Sequence, residues 1–352
     1  MIRELSYIQA VNEALHLAMD QDPSVICDGL GVDDPKAIFG STSGLKEKFG
    51  ASRVFDMPTS ENAMTGIAIG ASLNGVRPIM IHQRLDFFLL AMDQLINNAA
   101  KWHYMFGGRK SVPITIRLIL GRGWGQGPTH SQSLHAWFAH VPGLKVVMPA
   151  TAEDAKGLLL SAIFDENPVI VLEHRWLHNM TGSVPEGNFR TPLAKARLLR
   201  QGSDVTIVAM GYMTVESLHA VDYLAGLGIS CDVVDLGTLK PLDWETIFES
   251  VAKTGRLIAL DTGATTGSIA GEIVARVVME CWTSLKQAPQ RLAVPDVPEP
   301  TSYELTKGFH VRAEDIVQKI AEMLGAEIST TPLVDARKYP HDVPGDWFKG
   351  PF

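Results

Sequence analysis

Two segments of the chain combine titratable side chains with turn-forming residues, and each follows an apolar run of strand length. Glu61 ends the segment Asp56-Met-Pro-Thr-Ser-Glu61, which comes after the short run 53–55. His130 follows the segment Gly121-Arg-Gly-Trp-Gly-Gln-Gly127, which comes after the run 113–120. Because open parallel sheets bind ligands beyond the carboxyl ends of their strands, both segments are candidate sites. A carboxyl group and an imidazole placed there could hold or transfer protons near neutral pH.

Each of these residues also has a purely structural interpretation. Glu61 begins a predicted helix after Ser60, a possible N-cap, and an acidic residue in the first turn complements the helix dipole. The glycines of segment 121–127 follow the spacing GxGxGxG and not the dinucleotide spacing GxGxxG, so a flexible loop that lets backbone approach a neighbour closely explains them equally well. His130 opens an apparent helix, where it could be an ordinary polar residue. The residues alone leave both interpretations open.

Composition and missing motifs exclude several other classes of protein. The chain of 352 residues has a formal net charge of -8, which argues against nucleic acid as a partner. Its three cysteines form no CxxC pair, and neither an HExxH nor a GxSxG motif occurs, which excludes a thiolate zinc site, a zinc hydrolase and a serine hydrolase elbow. No apolar stretch approaches the roughly 18 residues of a membrane-spanning helix. We therefore expect a protein without a membrane segment, in a reducing compartment such as the cytoplasm.

Short apolar runs that alternate with amphipathic stretches predict an α/β protein with two α/β domains and mainly parallel sheets. In the first half we predict, among others, helices over 7–20, 61–73, 87–104 and 152–164. A segment rich in glycine, proline and asparagine separates the two halves. The predicted organisation is a first domain at 1–185, a linker at 186–200, a second domain at 201–325 and a tail at 326–352. We expect the tail to be disordered or to pack on a partner through Trp347, Phe348 and Phe352.

Many segments, in the right order, resemble the beta subunits of the decarboxylating component of 2-oxo acid dehydrogenases. They include GLKEKFG at 44–50, RVFDMPTSE at 53–61, GVRPI at 75–79, PGLKVV at 142–147, DAKG at 154–157, NPV at 167–169 and PLD at 241–243. The length between Arg117 and His130 also matches that family, and the resemblance extends to about Leu324. It implies a transketolase-like pyrimidine-binding domain followed by a transketolase C-terminal-like domain.

The resemblance also implies a cofactor, thiamine diphosphate, and roles for individual residues. Glu61 would contact the aminopyrimidine ring of the cofactor, and Phe87 would pack against that ring. Asp28, in place of the family's longer glutamate, and the nearby Leu30 would complete this chain's contribution to the cofactor site. His130 would transfer protons or contact the substrate.

A partner chain is implied as well, because the family holds the diphosphate and its magnesium through a GDG motif that this sequence lacks. An alpha subunit would supply that half of the site in a heterotetramer of two alpha and two beta chains, and a lipoylated acyltransferase would receive the acyl group. In relatives, a segment that matches Ala162, Ile163, Asp165 and Asn167 holds a structural potassium ion through backbone oxygens.

One segment departs from the family pattern. The run Ile81-His-Gln-Arg-Leu-Asp86 brings His82 and Arg84 near the implied cofactor cleft. Arg84 would suit an anionic substrate, because guanidinium pairs with carboxylate or phosphate; an ordinary surface arginine is the alternative. Two further hypotheses therefore stay open: a two-chain transketolase or decarboxylase without a lipoyl partner, and a scaffold without activity. The presence of both Glu61 and His130 argues against a scaffold.

Overall fold

The computed structural model describes residues 2–123 and 125–350. Strands and helices alternate through both halves of the chain, as predicted. The strands are β1 (Ile2–Ser6), β2 (Val25–Gly29), β3 (Val54–Asp56), β4 (Arg77–His82), β5 (Thr115–Leu120), β6 (Lys145–Val147), β7 (Val169–His174), β8 (Thr181–Pro185), β9 (Arg197–Arg200), β10 (Val205–Ala209), β11 (Cys231–Asp235), β12 (Thr238–Lys240), β13 (Leu257–Ala264) and β14 (Gln290–Val294). The helices are α1 (Tyr7–Gln21), α2 (Leu45–Phe49), α3 (Glu61–Ser72), α4 (Leu85–Phe88), α5 (Ala100–Met105), α6 (His135–His140), α7 (Ala152–Ile163), α8 (Tyr212–Ala225), α9 (Trp244–Thr254), α10 (Ile269–Cys281), α11 (Ala313–Leu324) and α12 (Thr331–Ala336).

The first half builds a seven-stranded sheet in the order β12-β6-β7-β5-β4-β2-β3. All neighbouring strands are parallel except β12, which runs antiparallel to β6. Every residue of β5 and β7 is buried. Helices cover both faces of such a sheet, which explains why these strands read as continuous apolar runs and not as alternating patterns.

The second half builds a five-stranded sheet in the order β14-β13-β10-β11-β9. Its strands are parallel except β9, which pairs antiparallel with β11. Strand β9 lies within the predicted linker, so the end of that segment belongs to the second sheet. Strand β12 follows β11 in the chain but pairs with the first sheet, so main-chain hydrogen bonds connect the two halves.

Two predictions about local structure need correction. The segment predicted as one helix over 87–104 is helical but irregular: a 3₁₀ turn at Leu89–Ala91 and a π-helix at Gln94–Ala99 separate α4 from α5. His130 does not open a helix, because it lies in a turn in which its backbone N–H donates to Gly127 O at 3.1 Å, and α6 begins at His135. Sequence periodicity did not reveal either deviation, because a π-helix keeps nearly helical side-chain spacing and because the limits of a helix are less certain than its existence.

The described part of the tail, residues 326–350, packs on this chain itself, so the expectation of a disordered tail is wrong there, while packing on a partner stays a prediction. Trp347 donates from Nε1 to Trp176 O at 2.8 Å, and both Trp347 and Phe348 pack against the main core. Helix α12 lies within the tail, where Arg337 pairs with Glu314 of α11. Phe352, the third aromatic residue of the prediction, lies outside the described residues.

None of the helices in residues 2–123 and 125–350 has both the length and the apolar character needed to cross a membrane.

Candidate active site

The carboxyl edge of the seven-stranded sheet brings several predicted residues to one side of the first domain. In the parallel register, Gly29 of β2 pairs with Asp56 of β3 and Ile81 of β4. Leu30 follows β2, and its N–H donates to Ile81 O at 3.1 Å. Glu61 follows β3 at the start of α3. The segment with His82 ends β4 at the same edge, as expected of ligand sites in parallel sheets.

Two carboxyl groups at this edge are buried. Glu61 is 7% exposed at the first position of α3, and the preceding N-cap, Ser60, makes no side-chain capping bond. Asp28, on β2, is 2% exposed, and its Oδ1 has no hydrogen-bond partner among the described residues. Burial raises the pKa of Asp28 to about 7, because the charged carboxylate is desolvated. Buried carboxyl groups without compensating partners are typical of binding and catalytic sites.

His130, Phe87 and Arg84 line one cavity of about 340 Å³. The rings of Phe87 and His130 meet edge to face, with centroids 5.4 Å apart. His130 is exposed, and its Nδ1 lies 2.9 Å from the hydroxyl of Thr129. Arg84 is 5% exposed and precedes α4, so it is a buried residue of the cavity wall, and the alternative of an ordinary surface arginine is wrong. Burial lowers the pKa of Arg84, while the nearby Asp86 opposes that effect.

His82 occupies a different environment from Arg84. It is fully buried, and neither ring nitrogen has a hydrogen-bond partner among the described residues. Its ring packs against Phe88 with centroids 4.9 Å apart. Burial lowers the pKa of His82 to about 4, so the ring is neutral at physiological pH. His82 does not line the cavity of His130, and direct contact with substrate there stays a prediction.

The glycine-rich segment before His130 packs tightly against two neighbours. A Cβ atom added at Gly121, where φ is +81°, would lie 2.6 Å from Nε2 of His174. A Cβ atom added at Gly127 would lie 2.0 Å from the hydroxyl of Thr301. Both distances are far below van der Waals contact, so these glycines permit close approach, as the structural interpretation of the spacing proposed. Arg122 anchors the same segment by donating to Gln126 O at 2.9 Å.

The segment predicted to hold potassium directs backbone oxygens at a cationic side chain. Arg77 donates from Nη1 to Ile163 O at 3.2 Å and to Asp165 O at 2.9 Å. The Asp165 carboxylate accepts from Asn167 N at 2.8 Å and from Lys145 Nζ at 2.5 Å. Carbonyl oxygens are the donors that potassium prefers, and each has two lone pairs, so the residues present fit a potassium ion that shares them with Arg77.

Two residues of the site were missed by sequence reasoning. Arg175 follows β7, is 3% exposed, and its guanidinium carbon lies 4.4 Å from the ring centroid of Phe39, which lines the cavity of His130. A basic residue directly after a buried strand was the available signal for Arg175. Phe39 has no comparable signal, because it reaches the cavity from an irregular segment far away in sequence.

No cluster of three or more histidine, cysteine or acidic residues capable of holding a metal ion occurs within the part of the chain that the structure describes.

Two protein-family models match consecutive parts of the chain. The model described as transketolase, pyrimidine binding domain, matches residues 3–180. The model described as transketolase, C-terminal domain, matches residues 194–316. The two matches correspond to the seven-stranded and five-stranded sheets, apart from β12.

Similar proteins cover nearly the whole chain. The acetoin:2,6-dichlorophenolindophenol oxidoreductase subunit beta of Cupriavidus necator is 43% identical over 312 residues, which are 86% of this chain and 92% of that protein. The mitochondrial pyruvate dehydrogenase E1 component subunit beta-2 of Oryza sativa subsp. japonica is 40% identical over 90% of this chain and 85% of its own length. A solved structure described as a split gene transketolase, inactive beta4 tetramer, has a TM-score of 0.73 at 24% identity, covering 92% of this chain and 99% of that one.

Proposed function

The chain belongs to the family of transketolase-type beta subunits of 2-oxo acid dehydrogenases, and on that premise we propose that it is the beta subunit of a thiamine diphosphate-dependent 2-oxo acid dehydrogenase. It would catalyse oxidative decarboxylation of a 2-oxo acid together with an alpha subunit. The acyl group would pass to a lipoylated acyltransferase. A reducing compartment such as the cytoplasm suits the three free, buried cysteines.

One observation carries this proposal: a buried glutamate and a cavity with an aromatic ring and a histidine lie at the same edge of one parallel sheet. Glu61 begins α3 after β3, while Phe87 and His130 follow β4 and β5. Glu61 is buried, with only 7% of its surface exposed. A role in helix capping alone would not require this burial, because a carboxylate interacts with a helix dipole equally well at the surface.

The residues of the chain can perform distinct parts of the reaction. When bound, thiamine diphosphate supplies a nucleophilic carbon and an electron sink for decarboxylation. Glu61 would share a proton with the aminopyrimidine ring, and the Phe87 ring would set the orientation of that ring. Asp28, with a pKa of about 7, and Leu30 would border the cofactor on the β2 side. His130, at the mouth of the cavity, can give or take a proton during acyl transfer.

The proposed assembly has two alpha and two beta chains, with the cofactor between an alpha and a beta chain. The magnesium ligands would lie on the alpha subunit, since the GDG motif is absent from this sequence. A potassium ion would bind the backbone oxygens at Ala162, Ile163, Asp165 and Asn167. A melting temperature that is higher in potassium chloride than in sodium chloride at equal ionic strength would support the potassium site; equal values would contradict it.

A second function is favoured by the buried Arg84 at the cavity wall: a two-chain transketolase or decarboxylase that uses no lipoyl acceptor. Such an enzyme would turn over its substrate at full rate without a lipoyl domain in the assay. A rate that rises with added lipoyl domain favours the dehydrogenase instead.

Substitution of Glu61 tests the catalytic assignment. In the reconstituted alpha–beta complex, Glu61→Gln should lower kcat by about 100-fold or more, because proton transfer by a positioned carboxyl contributes that much. The melting temperature should change little. Glu249→Gln, at an exposed position on α9, is the matched control and should retain wild-type activity. Wild-type activity of the Glu61 variant would rule out the assigned role.

Calorimetry tests the proposal that the cofactor site is shared. Thiamine diphosphate with magnesium should bind tightly to the alpha–beta complex and weakly to either chain alone. Tight binding to this chain alone would show that the site is not shared.

A further inference from the structure

The cavity that holds His130 has a wall with buried cationic groups whose hydrogen-bond donors are unused. Arg84 lines this cavity, and its Nη1 has no hydrogen-bond partner among the described residues. Asp86 influences Arg84 electrostatically. However, Oδ1 of Asp86 accepts a hydrogen bond from Gln132 Nε2 at 2.8 Å, and its Oδ2 has no hydrogen-bond partner among the described residues, so neither oxygen bonds Arg84. The Arg84 guanidinium is therefore buried with a donor free.

A second buried guanidinium contacts a residue of the cavity wall. Arg175 has two nitrogens, Nε and Nη1, without a partner among the described residues, while its Nη2 donates to Gly350 O. Its face stacks on the Phe39 ring, which forms another part of the cavity wall. Burial, together with the positive charge of Arg84, lowers the pKa of Arg175 to about 9.

Two buried like charges with unused donors are unfavourable unless an anion joins them. Leaving a buried donor without a hydrogen-bond acceptor destabilises the protein, and more so when the donor is charged. An oxyanion relieves both the repulsion and the unmet hydrogen bonding, since the planar guanidinium matches carboxylate and phosphate oxygens. Lys36 adds a third cation at the exposed rim, and the acidic lining residue, Asp34, accepts from the Lys36 backbone N–H at 2.7 Å.

We propose that Arg84, supported by Arg175, binds a distal anionic group of the substrate, a carboxylate or a phosphate, in addition to the carboxylate that decarboxylation removes. This inference rests on the proposed function, because it takes the cavity of His130 as the substrate cavity. It narrows the substrate class to molecules with a second anionic group.

Matched substrates test the proposal on the unmodified alpha–beta complex, with reduction of an artificial electron acceptor as the readout. 2-Oxoglutarate and 2-oxopentanoate have the same chain length but end in a carboxylate and a methyl group, respectively. 2-Oxo-4-phosphonobutanoate and 2-oxopentanoate form the corresponding pair with a phosphonate, which has the oxygens of a phosphate. In one pair, the anionic member should have a kcat/KM about 100-fold higher, the size expected of a charge-assisted pair. The pair that responds identifies the anion, and a preference below about threefold in both pairs would contradict the proposal.

Variants connect this preference to the two arginines. Arg84→Gln should reduce the ratio of the two kcat/KM values to near one, mainly by raising KM for the anionic member. Arg84→Lys should restore part of the ratio, and Arg175→Gln should reduce it less than Arg84→Gln. Arg200→Gln removes an exposed guanidinium on β9 and serves as the control that leaves the ratio unchanged. A ratio that is insensitive to both arginines would refute their assignment.

A binding measurement separates this inference from the catalytic proposal. In the Glu61→Gln complex, glutarate or inorganic phosphate should raise the melting temperature, and pentanamide, which has no charge, should not. Adding Arg84→Gln should abolish that rise. If Glu61→Gln retained full activity while the rise still depended on Arg84, the catalytic proposal would fail and the anion site would stand. No Arg84-dependent rise with either anion would remove the anion site.

Discussion

Two buried arginines of the first domain have opposite surroundings. Arg117, on β5, donates from Nε to Glu173 Oε1 at 2.6 Å and from Nη2 to Oε2 at 3.0 Å, and both side chains are buried. Although burial of Glu173 opposes ionisation, Arg117 holds the pKa of that carboxyl down at about 2. Arg84 follows β4, the strand next to β5, and its Nη1 has no such partner among the described residues.

This difference is the one expected between a structural group and a ligand-binding group. A buried ion pair with fork geometry satisfies both charges within the protein. Removing one partner therefore leaves the other charge buried without a counter-charge. A buried cation with a free donor forms no such pair within the protein. We expect a protein to keep such a cation, despite the free-energy cost of burying it, only where a bound ligand uses the donor. Asp28 resembles Arg84 in this respect, because its Oδ1 also lacks a partner among the described residues.

Removing Arg117 from its buried ion pair with Glu173 should have the largest effect on stability. Arg117→Leu leaves the Glu173 carboxylate buried without its main counter-charge, so we expect the free energy of unfolding to fall by about 3–5 kcal/mol. Chemical denaturation of the purified chain measures this. Arg200→Leu, which removes an exposed pair with Asp222 at 3.3 Å, should change stability by about 1 kcal/mol or less. Equal effects of the two substitutions would show that burial of the pair is unimportant.

Because of the buried carboxyl of Asp28, stability should depend on pH with the opposite sign to that expected for a salt-bridged aspartate. Since burial raises the pKa of Asp28 from 3.8 to about 7, the folded state retains this proton between these pH values while the unfolded state loses it. The contribution of Asp28 to the free energy of unfolding therefore falls as the pH rises through that window, and it levels off above about pH 7. We expect its contribution to fall by roughly 2–3 kcal/mol between pH 5 and pH 8.

Asp28→Asn isolates this effect from the other titrating groups. The asparagine variant should gain stability relative to the wild type as the pH rises from 5 to 8, as measured by denaturation at each pH. A constant difference across that range would mean that Asp28 ionises normally.

Substitution of the unpaired arginine should have the smallest effect on stability. Arg84→Leu removes a buried cation that has no partner for Nη1, so the free energy of unfolding should stay the same or rise by about 1 kcal/mol. Denaturation under the conditions used for Arg117→Leu measures it. A loss as large as that of Arg117→Leu would break the comparison, because Arg84 would then be a structural residue.

Much of the fold followed from local sequence patterns. Apolar runs such as 113–120 and 169–172 predicted β5 and β7, and the α1 and α7 helices end within about one residue of their predicted limits. Local patterns could not predict the π-helix at Gln94–Ala99, because the change in helical geometry depends on packing and not on periodicity.

The candidate site was predictable in part. Glu61 and His130 were found because parallel strands place their carboxyl ends at one edge, and Arg84 was found because its segment departs from the family pattern. The position of His130 in a turn was not predicted, and neither was the packing of the tail on this chain itself. Trp347 contacts Trp176 across 171 positions of the sequence, and no local signal describes such a contact.

The sequence by itself determined the α/β class, the family, and the residue types at the edge of the first sheet. These depend on the order of apolar and polar residues along the chain, which is a local property. Only the tertiary structure decided that Arg84 is buried with a free donor, that Arg175 stacks on a ring of the same cavity wall, and that Arg117 is paired. Those outcomes depend on which distant groups meet in space, and the free energy of a buried charge is set by these neighbours and not by its position in the chain.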